Sequence, residues 1–124
     1  MTTEPAPTLT VLHEGTPLFT SSGPGLHPLF ALEAYLAAQA FQPAHLILQE
    51  KIIGKAAALL IHRLGLRTVQ AGLLSRLGEA VLQRYGMVYT YKQLVERIHC
   101  QTEELLATVE DPEAAYQLVK VRVG

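Results

Sequence analysis

Two stretches of this 124-residue chain carry side chains suited to chemistry. The first is Glu50-Lys51-Ile52-Ile53-Gly54-Lys55-Ala56-Ala57-Ala58, where a carboxylate, two ammonium groups and a glycine follow an apolar run. Read as the start of a helix, it sets Lys51 and Lys55 four apart on one face, where they would supply positive charge to an anion. Gly54 would let a ligand approach the backbone closely. Glu50 would accept a proton or hydrogen-bond a base or a sugar hydroxyl. The plainer alternative makes Glu50 a favourable first-turn charge, the lysines solvated surface groups and Gly54 a packing contact.

The second stretch is His99-Cys100-Gln101-Thr102-Glu103. A thiolate beside an imidazole at a helix start is activated for nucleophilic attack, so Cys100 and Glu103 form an alternative reactive pair. No third group that would orient them can be named, and a small buried cysteine accounts for Cys100 better. His13, His45 and His62 lack metal-ligand spacing. Tyr85, Tyr89 and Tyr91 cluster as packing or interface residues do.

Elements to position these groups follow from hydrophobic periodicity. Residues 1–8 are Thr/Pro-rich and read as a frayed segment, leaving 9–124 as one domain. Leu9 to His13, a turn at Glu14-Gly15-Thr16, and Pro17 to Thr20 predict a hairpin. After the breaker-rich Ser21-Ser22-Gly23-Pro24-Gly25 loop, a helix starts near His27 with Pro28 in its first turn. Leu29, Leu32, Leu36 and Ala40 form its apolar stripe. Ala44 to Leu48 predicts a buried parallel strand, Glu50 to Leu64 a helix, and Thr68 to Gly72 another strand. Ser75 is placed to cap a third helix ending at Tyr85-Gly86. Met87 to Thr90 reads as a strand and Tyr91 to Ile98 as helical. Asp111 caps a last helix with Pro112 at its first position, running to about Lys120. This order predicts an α/β domain, a three-layer α/β/α sandwich with a mixed sheet.

Composition narrows the class. With 49% apolar residues the chain can bury a packed core, and a net charge of −1 gives no reason to expect a nucleic-acid or anionic-membrane partner. The 17% charged fraction is low and points to a homo-oligomeric interface or to an Ala/Leu-rich core. A lone cysteine fits a reducing compartment. Met1-Thr2-Thr3-Glu4-Pro5 lacks the features of a secretion signal, and the longest apolar segment, Ala56 to Ile61, cannot span a bilayer. A cytoplasmic protein is expected.

Glu50 to Ala58 resembles the Asp-Lys-Val-Val-Gly-Lys-Ala-Ala-Ala signature of domain-of-unknown-function family 1893, a cytidine-deaminase-like family. Ser21 to Leu29 is similar to that family's Ser-x-x-x-Gly-Val-x-Pro-Leu. Ser75, Tyr85-Gly86 and Asp111-Pro112-Glu113-Ala114-Ala115-Tyr116 fit as well. Two departures stand out: a glycine-rich insertion found in many relatives is missing before Cys100, and Gln101-Thr102 replaces their Pro-Met pair. The resemblance implies a cytidine-deaminase-like fold, with the family's own activity unestablished.

A zinc deaminase holds its metal with a His or Cys on one helix and a Pro-Cys-x-x-Cys pair on the next. On the resemblance, those thiolates would fall near Lys51 and Gly54, which cannot ligate zinc, and His27 alone is no site. No metal and no cofactor is expected. The expected function is therefore binding of a small anionic or nucleotide-like ligand where helix starts meet the carboxyl end of the sheet. Ser22, Gly23, Gly25 and His27 would wrap one side, with Glu50 to Lys55 opposite and Ser75 either joining them or acting as a plain cap. Two alternatives stay open: a metal-independent enzyme acting on a nucleoside-like or acyl substrate through Cys100 or Glu50, and an oligomeric interaction protein.

Overall fold

The hairpin forms where the sequence places it, and its turn shows why. Glu14 and Gly15 both have positive φ, 51° and 81°, the backbone sense that matches the right-handed twist of paired strands. In this computed structural model, which describes residues 7–23, 25–39, 42–98, 106 and 108–123, the hairpin strands are β1 (Leu9–His13) and β2 (Thr16–Ser21). Pro24, Ala40, His99, Cys100 and Glu103 lie outside the described residues, as does most of the expected frayed segment.

Helix α1 (His27–Ala37) carries Pro28 in its first turn, and a 3-10 turn follows at Pro43–His45. Then come β3 (Ile47–Ile53), α2 (Lys55–Arg63), β4 (Thr68–Ser75), α3 (Arg76–Arg84), β5 (Val88–Val95) and α4 (Pro112–Val123). The sheet has five strands in the order β2-β1-β3-β4-β5. β1 runs antiparallel to both neighbours, whereas β3, β4 and β5 are parallel, so the sheet is mixed.

Three boundaries differ from the sequence expectation. Ala44 and His45 belong to the 3-10 turn and not to a strand. Glu50 to Ile53 extends β3 and does not open a helix: β-branched Ile52 and Ile53 pair with Leu73 and Leu74 of β4. Helix α2 therefore begins only at Lys55, after the extended Gly54, where the Ala/Leu-rich run favours it. Lys51 and Lys55 consequently share no helix face. Tyr91 to Val95 likewise continues β5, held by parallel pairing with Ala71 to Ser75.

Helix α2 is the centre of the helical layer and touches α1, α3 and α4. Its side chains from Lys55 through Ile61 are all buried, against core residues such as Leu48, Leu74 and Leu82. The other face of the sheet has a different character. Thr20, Thr10, Gln49, Gln70 and Thr90 stand in register across all five strands, a polar row that runs through exposed or half-buried positions.

Alternation of buried positions slips by one residue in both central strands. Leu48 and Glu50 are buried in β3 and Val69 and Ala71 in β4, but the next buried positions are Ile53 and Leu74. The slip falls at Lys51 and Gly72. A Cβ on Gly72 would lie 2.6 Å from the Lys51 carbonyl oxygen, so the two backbones meet there at a distance only glycine permits.

A candidate anion-binding groove on the polar sheet face

The sequence suggests a crevice between the starts of α1 and α2, with the α3 start either joining it or standing apart; the α2 and α3 starts are closed by their own side chains. Ser75 caps α3 by accepting a hydrogen bond from the Gly78 N–H at 3.0 Å and is fully buried. A Cβ on Gly78 would come within 3.0 Å of the Gly54 backbone, so α3 rests directly on the chain leading into α2. Lys55 is 3% exposed and its Nζ donates to Glu110 Oε1 at 2.8 Å. That lysine is spent on holding the segment before α4. Gly25 and His27 are exposed at the start of α1, and Ser22 is exposed on the preceding loop.

A groove of about 270 Å³ lies instead across β1, β3, β4 and β5, lined by Thr8, Thr10, Gln49, Lys51, Gln70, Gly72 and Lys92 among others. The strand slip builds it. Lys51 and Lys92 flank Gly72 on the neighbouring strands, at sites between the register pairs Glu50–Ala71 and Ile52–Leu73 on one side and Ala71–Tyr91 and Leu73–Gln93 on the other. With strands about 4.8 Å apart, the two lysine backbones stand roughly 10 Å from one another across a position with no side chain. Both lysines are exposed.

Thr8 forms the near wall and ties the loop to it. Its carbonyl accepts from the Lys51 N–H at 3.0 Å, and its hydroxyl donates to the carbonyls of Ser21 and Gly23 at 3.2 and 3.4 Å. Gly23 therefore borders the groove through Thr8. On the floor, Gln49 Nε2 donates to Gln70 Oε1 at 2.7 Å, an amide pair across the two central strands.

Among the described residues, Glu50 is the sole acidic one in the lining. It is 7% exposed, stands in register between the buried Leu9 and Ala71, and leaves Oε2 without a hydrogen-bond partner among the described residues. Burial in apolar surroundings pushes its pKa up to about 8. At neutral pH it is therefore mostly protonated, and the two lysines dominate the groove's charge.

Sequence reasoning picked out Glu50 and Lys51 but missed Thr8, Thr10, Gln49, Gln70, Gly72 and Lys92. Reading Ile52-Ile53 as strand residues would have put Gln49 and Lys51 on one face, and the polar alternation of Gln70 and Gly72 in β4 would have matched them. Among the described residues no three His, Cys, Asp or Glu side chains gather as a metal site, and no helix is long and apolar enough to cross a membrane.

The fold has a close counterpart. The chain aligns with the crystal structure of a DUF1893 family protein from Thermotoga maritima at a TM-score of 0.82, with 22% identity, covering 94% of this chain and 80% of that one. A family model described as Domain of unknown function (DUF1893) matches residues 4–122. No curated protein matches the chain.

Proposed function

The chain belongs to the DUF1893 family, and from that premise we propose that it binds a small anionic, nucleotide-like molecule in the groove between Lys51 and Lys92. The observation that carries this reading is the pair of exposed lysines flanking Gly72, in a groove where the Glu50 carboxyl is buried and protonated near neutral pH. Two cations on either side of a position without a side chain suit a phosphate or a carboxylate, which Lys meets as a point charge. The surrounding hydroxyls and amides of Thr8, Thr10, Gln49 and Gln70 suit the polar remainder of such a ligand.

The reading includes the cytidine-deaminase-like sandwich, supported by the mixed sheet and its parallel β3-β4-β5 half. It also includes a cytoplasmic setting, where phosphorylated metabolites are abundant.

Calorimetric titration with inorganic phosphate and ribose 5-phosphate tests the proposal. Binding is expected to weaken about tenfold in Lys51→Ala or Lys92→Ala, which corresponds to about 1.4 kcal/mol, and to fall with added salt. Absence of binding by both probes, or unchanged binding in the double variant, would overturn it.

A second reading is favoured by a separate observation. Val88 and Tyr91 are 64% and 44% exposed on the edge strand β5, an apolar edge suited to a second copy of the chain. Light scattering that returns a monomer at micromolar concentration would remove it.

A further inference from the structure

Gln49 and Gln70 spend only one hydrogen bond on each other, a small part of what the two amides can make. Each side-chain amide offers a donor NH2 and an acceptor oxygen. The single bond from Gln49 Nε2 to Gln70 Oε1 leaves Gln49 Oε1 as a spare acceptor and Gln70 Nε2 as a spare donor, with no protein partner among the described residues. Exchanging O and N in both amides reverses the direction of the bond and still leaves one acceptor and one donor. Both side chains are exposed on the groove floor, in register with one another.

The amide pair sits two residues along its strands from the Lys51–Gly72 level, which at the usual strand rise is roughly 6.6 Å. Lys92 holds the same level on β5. Thus the groove presents two kinds of group at a fixed spacing: a doubly cationic end and, one pleat away, an adjacent donor and acceptor. Thr10 and Thr90 continue the polar row on either side and close it with hydroxyls that serve in either sense.

We propose that the ligand carries, besides its anionic group, a cyclic amide edge with an N–H and a C=O side by side, as a pyrimidine nucleotide does. Gln49 Oε1 accepts from the ring N–H and Gln70 Nε2 donates to the ring carbonyl, while Lys51 and Lys92 take the phosphate. A phosphate alone fills one end and leaves the amide pair to water. A nucleoside alone finds the amide pair without the charge. A site that hydrogen-bonds a polar edge discriminates strongly against a ligand lacking it, because the site's own groups are then left unmatched.

This inference rests on the anion-binding reading, and the probes separate the two. Uridine 5′-monophosphate, ribose 5-phosphate and uridine are titrated into the whole chain by calorimetry. The monophosphate is expected to bind at least about tenfold more tightly than ribose 5-phosphate, with uridine weaker than either. In Gln70→Met and Gln49→Met, both at exposed positions, the monophosphate should bind no more tightly than ribose 5-phosphate does to the same variant. Equal affinity for the monophosphate and ribose 5-phosphate would overturn the amide-edge inference while the anion reading stands. An advantage that persists in both methionine variants would overturn it as well. Binding of none of the three would end both.

Discussion

Lys55 Nζ lies 2.8 Å from Glu110 Oε1, and the two side chains differ sharply in exposure, 3% against 55%. The lysine stem is packed under the helical layer while the carboxylate that receives it stays wet. Glu110 also accepts from Arg84 Nη1 at 2.9 Å, so one surface carboxylate anchors two elements. Lys55 thereby clamps the segment before α4 to the start of α2.

Glu110→Gln should lower stability by about 1–2 kcal/mol, because it weakens the charge-assisted bond to a buried ammonium. The Lys55 ammonium beside it holds the Glu110 carboxyl below the usual carboxylate range. Its contribution is present above the ordinary carboxylate pKa and is lost as pH falls through the depressed value. Urea melts at pH 7 and pH 3 check this: the wild-type advantage over the variant should shrink at the lower pH. Lys55→Met should leave ribose 5-phosphate affinity unchanged, the reverse of what a ligand-binding lysine would show.

Glu50 works in the opposite direction. Below about pH 4.5 folded and unfolded chains both keep its proton. Between there and its folded value of about 8, the unfolded chain releases a proton that the folded chain retains, so stability falls as pH rises. Glu50→Gln should flatten that slope, shrinking the stability difference between pH 5 and pH 8 by on the order of 1–3 kcal/mol. Denaturant melts across that range give the slope directly. An identical slope in wild type and variant would show that the carboxyl ionises freely.

What could be read in advance was what local chemistry decides. Glu14-Gly15 announces the hairpin turn, Ser75 and Asp111 announce the two helix caps, and Pro28 and Pro112 mark first turns. Asp111 Oδ2 does accept from the Ala114 N–H at 2.8 Å. The stretch Glu50 to Gly54 misled because an acid and a lysine ahead of an alanine run look like a first helical turn. Pairing with β4, more than twenty residues away along the chain, holds it extended instead. The groove was illegible for the same reason: Gln49, Gln70 and Lys92 meet only through strand register. Mixed α/β class needs only the order of elements, so that part was accessible.

Gly72→Ala tests the strand slip that shapes the groove. Its new Cβ would lie 2.6 Å from the Lys51 carbonyl oxygen, which is backbone and cannot swing away. Destabilisation of about 1–3 kcal/mol is expected from the forced shift of β3 against β4. Groove binding should weaken with it, because the Lys51 backbone must move. Gly15→Ala makes a useful control for the stability part, since its Cβ meets nothing within 4 Å and only its positive φ is strained.

Arg63 joins three helices and gives the last prediction. Its Nη1 donates to Glu33 Oε2 on α1 and its Nε to Glu113 Oε2 on α4, each at 2.6 Å. Its guanidinium carbon sits 3.4 Å over the centre of the Tyr116 ring, and the Tyr116 hydroxyl donates to Glu33 Oε1 at 2.7 Å. A planar fork is needed to serve two carboxylates and stack on a ring at once, which a lysine cannot do. Arg63→Lys should therefore cost about 1–2 kcal/mol despite keeping the charge. The loss should concentrate in α4, which reaches the helical layer through this cluster and through Ala115 and Val119. Amide hydrogen exchange should quicken along Tyr116 to Lys120 while β3 and β4 stay protected. Uniform quickening across the sheet would show instead that α4 and the sheet open together, and that Arg63 stabilises the whole domain as one unit.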